Sequence, residues 1–591
     1  MPRAGLAARR LVSITVTLIC SAQAVVLLWV AGCFLVHVGL RHPMFDQFRL
    51  YPLYLSLPFP DNIFQIENGH RPVLPALVRV FEIWATAADQ TVQLWVGALA
   101  ALAVALAGAV VHRRFDRAGA ASTALAALAG CMGVFWMANA RMLLHGNESV
   151  HAYFAAGFAL LAFLVAWRSS RRRCPKCFAM AIAFAIAAGL SFGPGLAAFG
   201  LVLIAALLAG NWRFLTTGIG VSLVFAIIYL VILPQGDHAQ TVIRFDPTAF
   251  VDHLLVWLGS ALAYAGLGAN PTLGLMHAPA LAESPLAIWS ADPVVWWVLR
   301  TTVIGVIALT LFSSWRSLRD PDSTPKIVLV GIGLSWFAIG AGFLVCLARS
   351  DYFTNDPGQR FADRYLLWSC LFFLGAWFQV QGRLRQSPLP LAASTALLFG
   401  VIAMMKPADR STQIWAVIVH QINERIAAAM LLDLDAPEFI ATDPAAPEQS
   451  RRETAALFRA HQLGVFAGPE AGRIERFQER PVTDLLPLKT LSILASFADS
   501  ERGQTEVIFG QFDLGEDLPW TALLTNSSQG VCGIVRRVLA PRKAREIRSI
   551  RGQIHPGLTG FSACHGDDEV ILWSLASDTP EPMYRINLVR P

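Results

Sequence analysis

The sequence predicts an all-α polytopic membrane bundle of about eleven transmembrane helices, followed by a small C-terminal α+β domain, mainly β-rich, on the outer face. Three observations carry that expectation. Apolar runs of helix-spanning length recur as far as residue 405. Only 15% of residues are charged, and the mean hydropathy is +0.51. Basic residues collect in the short loops on one side of the apolar runs. A soluble chain of 591 residues can bury a large core, but not in repeated stretches almost free of charge. The net charge of +6 therefore reports topology and contact with anionic headgroups. No interleaving of basic and aromatic residues marks a nucleic-acid surface, so membrane lipid is an expected partner and nucleic acid is not.

The first run, 11–40, follows Arg3, Arg9 and Arg10. It is about twice as long as a secretory h-region, so it reads as an uncleaved helix, although Val30-Ala31-Gly32-Cys33 faintly resembles a lipoprotein cleavage box. Further spans are expected near 91–111, 119–137, 151–167, 177–191, 194–210, 214–233, 293–313, 327–347, 365–381 and 387–405. The basic groups Arg113/Arg114/Arg117, Arg168/Arg171/Arg172/Arg173/Lys176, Arg213, Arg316/Arg319/Lys326 and Arg383/Arg385 then fall on the side of the N-terminus, which becomes cytoplasmic. An odd count puts the C-terminus outside, with the loops 41–90, 138–150, 234–292 and 348–364. The stretch 249–270 is apolar enough to cross, but as a crossing it would carry Arg316, Arg319 and Lys326 to the other side. It is expected to re-enter the membrane or lie on it, packed on protein.

Two domains follow, a transmembrane module over 1–405 and a soluble one over 406–591. The second opens with helical patterns at 414–432 and 449–463. It continues with β-type runs at 505–512, 530–539 and 569–575 between Gly, Asp and Pro turns. Five of the nine cysteines sit singly in apolar runs. Cys174 and Cys177 form a CxxC in a basic loop, with no second Cys/His pair to complete a zinc site. Cys532 and Cys564 are expected to form a disulfide if their domain lies outside the cytoplasm.

Chemistry-bearing residues crowd the first outer loop. Asp46 comes shortly after the first helix, and Glu67-Asn68-Gly69-His70-Arg71-Pro72 opens an amphipathic helix, 73–88, expected to lie along the interface. A carboxylate at the membrane surface can act as a general base or hold a divalent cation. A guanidinium or imidazolium beside it can neutralise a phosphate. The plainer alternative makes Asp46 a solvated loop residue and Glu67–Arg71 a helix cap. His145, Glu148 and His151 lead into the fourth helix, with Glu148 and His151 at i, i+3 and so on one face. In a late outer loop Arg360, Arg364 and Tyr365 precede an apolar helix, where they are either phosphate partners or ordinary interfacial anchors. Asp237, His238, Arg244, Asp246, Trp257 and Tyr264 add weaker candidates from 234–292.

The layout of 1–405 resembles the GT-C superfamily of integral-membrane glycosyltransferases: a cytoplasmic N-terminus, one helix, a large outer loop with a proximal acid and a horizontal helix, then many spans. Phe45-Asp46-Gln47 and Asn68-Gly69-His70-Arg71 are similar to first-loop motifs of bacterial members, and 355–365 to the segment that starts a late helix there. Gln47 stands where many members have a second acid, which bears on metal dependence, and Gly69 where they have Glu. The resemblance implies transfer of a monosaccharide from a polyprenyl-phosphate donor to an acceptor hydroxyl of a glycan, lipid or protein. The reaction would take place at the outer face of a bacterial cytoplasmic membrane. Asp46 would be the base, and Arg364, Arg360, Arg71 and His70 would meet the donor phosphate. Glu67, Tyr365 and Glu148 would bind substrate, and magnesium or manganese is the cofactor such carboxylates could hold. The leaving group is a phosphate, so it needs charge stabilisation rather than a proton. Two other classes share this helix content. A transporter or flippase of lipid-linked saccharides would need ionisable residues at mid-membrane depth, and the spans have almost none. A non-catalytic assembly subunit would use the C-terminal domain to recruit its partner.

Overall fold

The structure, a computed structural model, describes residues 2–44, 46–67, 69–232, 246–267, 293–384, 388–432, 448–477, 489–497, 506–511, 521–526, 530–541, 554–562, 570–576 and 580–589. A helix occupies every stretch that the sequence marks as a span. They are α1 (Pro2–Val38), α4 (Thr91–Phe115), α5 (Ala120–Phe135), α7 (Gly146–Arg172), α8 (Pro175–Gly189), α9 (Ala197–Leu208), α10 (Trp212–Ile227), α13 (Pro293–Arg319), α14 (Lys326–Ala348), α16 (Asp363–Gln381) and α17 (Pro388–Leu432). Short helices lie between them: α2 (Gln47–Ser56), α3 (Val73–Thr86), α6 (Ala140–Leu144), α11 (Pro247–Leu258), α12 (Ser260–Leu267) and α15 (Ser350–Asn355).

Among the described residues seven helical stretches are long and apolar enough to cross a membrane, or eight if the bent pair α11–α12 counts as one. The chain is thus a multi-pass, largely helical protein, and among the described residues seven of the eleven stretches expected to cross meet that test. The helices α8, α9 and α10 fall short of the roughly 20 residues that a hydrocarbon core asks for. Large apolar side chains stand exposed along α1 (Leu18, Val25, Trp29) and α13 (Trp297, Ile304, Leu311), the kind of surface that lipid covers.

By packing, the chain divides into two units. The first comprises 1–35, 64–76 and 93–413, and the second 36–63, 77–92 and 414–591. The division falls at 413/414, within α17, which runs on through Pro407 to Leu432.

In the first unit α14 and α16 approach closely through small residues. A Cβ on Gly331 would meet the Gly375 carbonyl, and one on Gly375 would meet Ser335. Gln379 of α16 donates from Nε2 to Ser335 on α14 (3.0 Å) and to Thr310 on α13 (3.2 Å), tying three helices together. The stretch 249–270 forms α11 and α12, bent by 51° at Gly259. Ser369 of α16 closes the break, accepting from Ala261 N (2.9 Å) and donating to Leu258 O. That is how interrupted backbone survives in an apolar setting, by packing against protein that replaces the lost bonds.

The basic helix ends meet at one end of this unit. Asp116 accepts from the backbone N–H of Lys326 (2.6 Å) and Ile327 (3.0 Å), Arg171 pairs with Asp322 (2.6 Å), and Lys326 lies over Trp167. Gln381 donates to Ser122 O (2.7 Å) at the same end. The helix ends 140–151, 190–196 and 348–364 are therefore gathered at the other.

The second unit joins residues 36–63 and 77–92 to the C-terminal chain. It holds α18 (Glu448–Ala460), α19 (Pro469–Glu475) and seven strands: β1 (Lys489–Phe497), β2 (Glu506–Gln511), β3 (Thr521–Asn526), β4 (Gly530–Pro541), β5 (Ile554–Ser562), β6 (Val570–Ser574) and β7 (Glu581–Val589). The strands close into a barrel in the order β1-β2-β5-β4-β3-β6-β7, antiparallel except where β7 meets β1 in parallel. Every residue of β3 is buried. The reason lies in the core, where Leu523, Ile534, Ile571 and Trp573 share one cluster with Met44, Phe48, Tyr51, Ile426, Met430 and Phe458.

Side-chain bonds fix the loop pieces in this core. Asn423 accepts from Arg41 N and His42 N and donates to His42 O. Thr454 donates to Phe48 O (2.7 Å), and Tyr51 meets Phe458 edge-on. Glu424 binds Arg536 of β4 at 2.7 Å and faces His42 at 3.4 Å. On α3 the side chains of Leu77, Phe81 and Trp84, spaced i, i+4, i+7, stay exposed as an apolar stripe, as expected of a helix at an interface. Cys532 is disulfide-bonded; Cys564, its expected partner, lies outside the described residues. Cys174 and Cys177 form a disulfide with each other.

Candidate functional site

The site of the first unit starts from a tight turn. Glu67 and His70 exchange both backbone hydrogen bonds (2.9 and 2.8 Å), and Gly69 between them takes φ +76°. A left-handed φ is costly for any residue with a Cβ, so a glycine at 69 is what this turn requires. The turn delivers the Glu67 carboxylate to His151 of α7 at 3.6 Å. It also sets the His70 ring edge-on to Phe192 (5.2 Å) and directly against Gly193, where a Cβ would overlap its Nδ1. Arg71 donates its backbone N–H to the Tyr229 hydroxyl (3.2 Å) and holds its guanidinium near that ring.

Burial of the His70 ring, with Arg349 and His151 nearby, lowers its pKa from 6.5 to about 4 against the opposing pull of Glu67. The sign follows from the depression. The fold prefers neutral His70, so its contribution is complete above about pH 6.5 and is lost as the pH falls toward 4. The thermal midpoint in detergent is expected to drop by several degrees over that window, and the drop should shrink in His70→Gln.

One turn before His151, Glu148 lies in the first turn of α7 and binds Arg141 of α6 through both oxygens (Nη2 to Oε1 2.6 Å, Nε to Oε2 2.8 Å). Arg141 also reaches Asp363 at the start of α16 (3.1 Å), and His145 faces Glu148 at 3.6 Å. Asp363 in turn accepts from the backbone N–H of Arg364 (2.8 Å). Arg141 is therefore the hub of the cluster, joining three helix starts. Two carboxylates balance its charge, as a buried guanidinium requires.

The remaining arginines differ in occupation. Arg360 pairs with Asp252 of α11 at 3.0 Å, and Arg300 takes the other oxygen of Asp252 at 2.6 Å. Arg364 lies over the Tyr365 ring and donates to Gln359 (3.2 Å). Arg349, which ends α14, lies near the Tyr352 ring. Among the described residues neither Arg349 nor Arg364 is ion-paired with a carboxylate. They are two cations at the same end of the bundle as Glu67, Glu148 and Asp363. Also among the described residues, no group of three or more His, Cys, Asp or Glu side chains is arranged to hold a metal ion.

The sequence-predicted residues thus divide. Glu67, His70, Arg71, Glu148, Arg364 and Tyr365 fall at one end of the first unit, and Arg360 nearby is engaged by Asp252. Asp46 belongs to the second unit. It occupies the N-cap position of α2 without capping it, and its carboxylate is ion-paired with Arg49 one turn on. Phe45, Asn68, Asp237, His238 and Arg244 lie outside the described residues. Asp246 is an N-cap, accepting from Thr248 N and Ala249 N. Sequence reading missed Arg141 and Arg349. For Arg141 the signal was there, the single arginine of the stretch 138–150, whereas Arg349 shares 348–364 with Arg360 and Arg364.

Compared with known proteins, the chain matches no family model, no curated protein and no solved structure.

Proposed function

We propose that this protein is a glycosyltransferase of the GT-C type. It would transfer a monosaccharide from a polyprenyl-phosphate donor to an acceptor hydroxyl at the outer face of the cytoplasmic membrane. The observation that carries the reading is the pair Arg349 and Arg364. These guanidiniums lack a carboxylate partner among the described residues, at a bundle end where Arg141 is already neutralised by Glu148 and Asp363. A prenyl chain stays in the bilayer, so its phosphate has to be met at headgroup depth by positive charge that water does not screen. Arg364 and Arg349 supply that charge, and Arg71 and His70 border it. The departing phosphate gains negative charge as the glycosidic bond breaks, and fixed cations stabilise it there. Asp46 is the proposed base that takes the acceptor's proton. The exposed stripe Leu77, Phe81 and Trp84 suits an interfacial helix in such an enzyme.

The test is transfer by the purified protein in lipid nanodiscs, given a radiolabelled polyprenyl-phosphate sugar and a panel of hydroxyl acceptors. Labelled product is expected. Arg364→Ala should raise the donor KM by about 10- to 100-fold, the cost of one charge-assisted contact, and leave the acceptor KM near its original value. Equal change in both would remove Arg364 from the phosphate. Movement of the intact lipid-linked saccharide across the bilayer, without transfer, would replace this reading by a transporter.

A further inference from the structure

We propose that Cys174 and Cys177 form a redox-active dithiol/disulfide centre that exchanges with a dithiol or disulfide partner. The inference is independent of glycosyl transfer. It starts from what the cross-link fails to do. The two residues are three apart and both belong to the start of α8, with Cys174 at its N-cap. A disulfide across a single helical turn ties no two elements together, and closing so short a loop removes little freedom from the unfolded chain. The turn between α7 and α8 is already set by the capping bonds that end α7, from Cys174 N to Ser169 O and from Arg173 N to Ser170 O. The pair therefore has no structural task that the turn leaves undone.

The surroundings favour thiolate chemistry. The Cys174 sulfur accepts the Cys177 N–H at 3.3 Å, the bond an N-cap side chain makes to the first turn, and the helix N-terminus stabilises negative charge there. Arg171, Arg172, Arg173 and Lys176 flank the pair, all exposed. A positive helix-start setting of this kind lowers a cysteine's pKa and raises its reactivity at neutral pH. Both sulfur-bearing residues are partly accessible, whereas Cys20, Cys131, Cys346 and Cys370 are buried inside the helices. A metal site is the competing use of a CxxC, but among the described residues no third ligand joins the pair.

The exchange balances without any further reactant. The Cys174 thiolate attacks one sulfur of the partner's disulfide, forming a mixed disulfide and releasing the partner's other sulfur as a thiolate. The Cys177 thiolate then attacks Cys174 Sγ, closing the Cys174–Cys177 bond and releasing the second partner thiolate. Two electrons pass to the partner, and the two protons lost by Cys174 and Cys177 end on its thiols. Run backwards, a dithiol reduces the pair.

The experiment uses the full chain in detergent, with dithiothreitol and glutathione as the probes. The native protein is equilibrated across ratios of reduced to oxidised reagent, acid-quenched, and the 174–177 peptide is read by differential alkylation and mass spectrometry. Reversible conversion is expected without denaturant. In the reduced protein at pH 6.5, Cys174 should alkylate about 10-fold faster than Cys177 or than an ordinary thiol, because the helix start and the basic residues beside it favour a thiolate there. Lys176→Glu with Arg172→Glu should slow Cys174 and leave Cys177 unchanged. A pair that stays oxidised in excess reduced dithiothreitol is an inert cross-link, and a pair that is reduced but alkylates at the ordinary thiol rate is a bystander. Either result overturns the proposal.

Discussion

Arg141→Leu is expected to be the most damaging single substitution outside the apolar core. It leaves the carboxylates of Glu148 and Asp363 facing each other at the helix ends, with the cation that joined them gone. Both are largely shielded from water, with side chains 19% and 11% exposed, as is Arg141 itself at 17%. Solvent can therefore compensate little, and breaking one side of such a cluster costs about 3–5 kcal/mol. The expected readout is loss of the monodisperse peak in detergent gel filtration, or a much lower thermal midpoint. The physical cause can be checked separately. If uncompensated charge is the fault, adding Glu148→Gln and Asp363→Asn to Arg141→Leu should recover most of the stability. If the triple variant is as unstable as the single one, the arginine acts through its packing.

Asp46→Asn carries the second large expectation, on activity and not on folding. A general base contributes about 10²- to 10⁴-fold, so transfer should fall by that factor while membrane insertion and thermal midpoint hold. Arg49 makes this a controlled test, because it is the ion-pair partner of Asp46. Arg49→Leu breaks the same pair but keeps the carboxylate. If Asp46 only steadies the first turn of α2, both variants lose the same modest amount. If Asp46 takes the acceptor's proton, only Asp46→Asn is inactive. Equal activities in the two variants would remove Asp46 from the mechanism and turn attention to Glu67.

The helices were legible because each is written locally. Apolar length gives the span, and clustered arginines mark the ends that indeed gather around Asp116, Asp322 and Ser122. The spacing of Glu148 and His151 places both on one helical face, and each meets a charged partner there, Arg141 for Glu148 and Glu67 for His151. β-type runs at 505–512, 530–539 and 569–575 match β2, β4 and β6, because alternation is also a local signal. What stayed hidden is long-range pairing. Nothing near Arg141 says that Asp363, more than two hundred residues later, will share it. Nothing near Phe48 says that it is core for Phe458 and Leu523. Helix length was less legible, since α8, α9 and α10 are apolar without being long.

That shared core of the second unit has a consequence for biogenesis. The ribosome makes residues 36–63 roughly 350 residues before Ile414, a delay of about 20–70 s at ordinary synthesis rates of about 5–20 residues per second. Until then Met44, Phe48 and Tyr51 wait outside the first helix without the side chains that enclose them. A nascent chain in that state exposes greasy side chains, and a product that stops just past Gln413 is expected to keep them sticky for its whole lifetime.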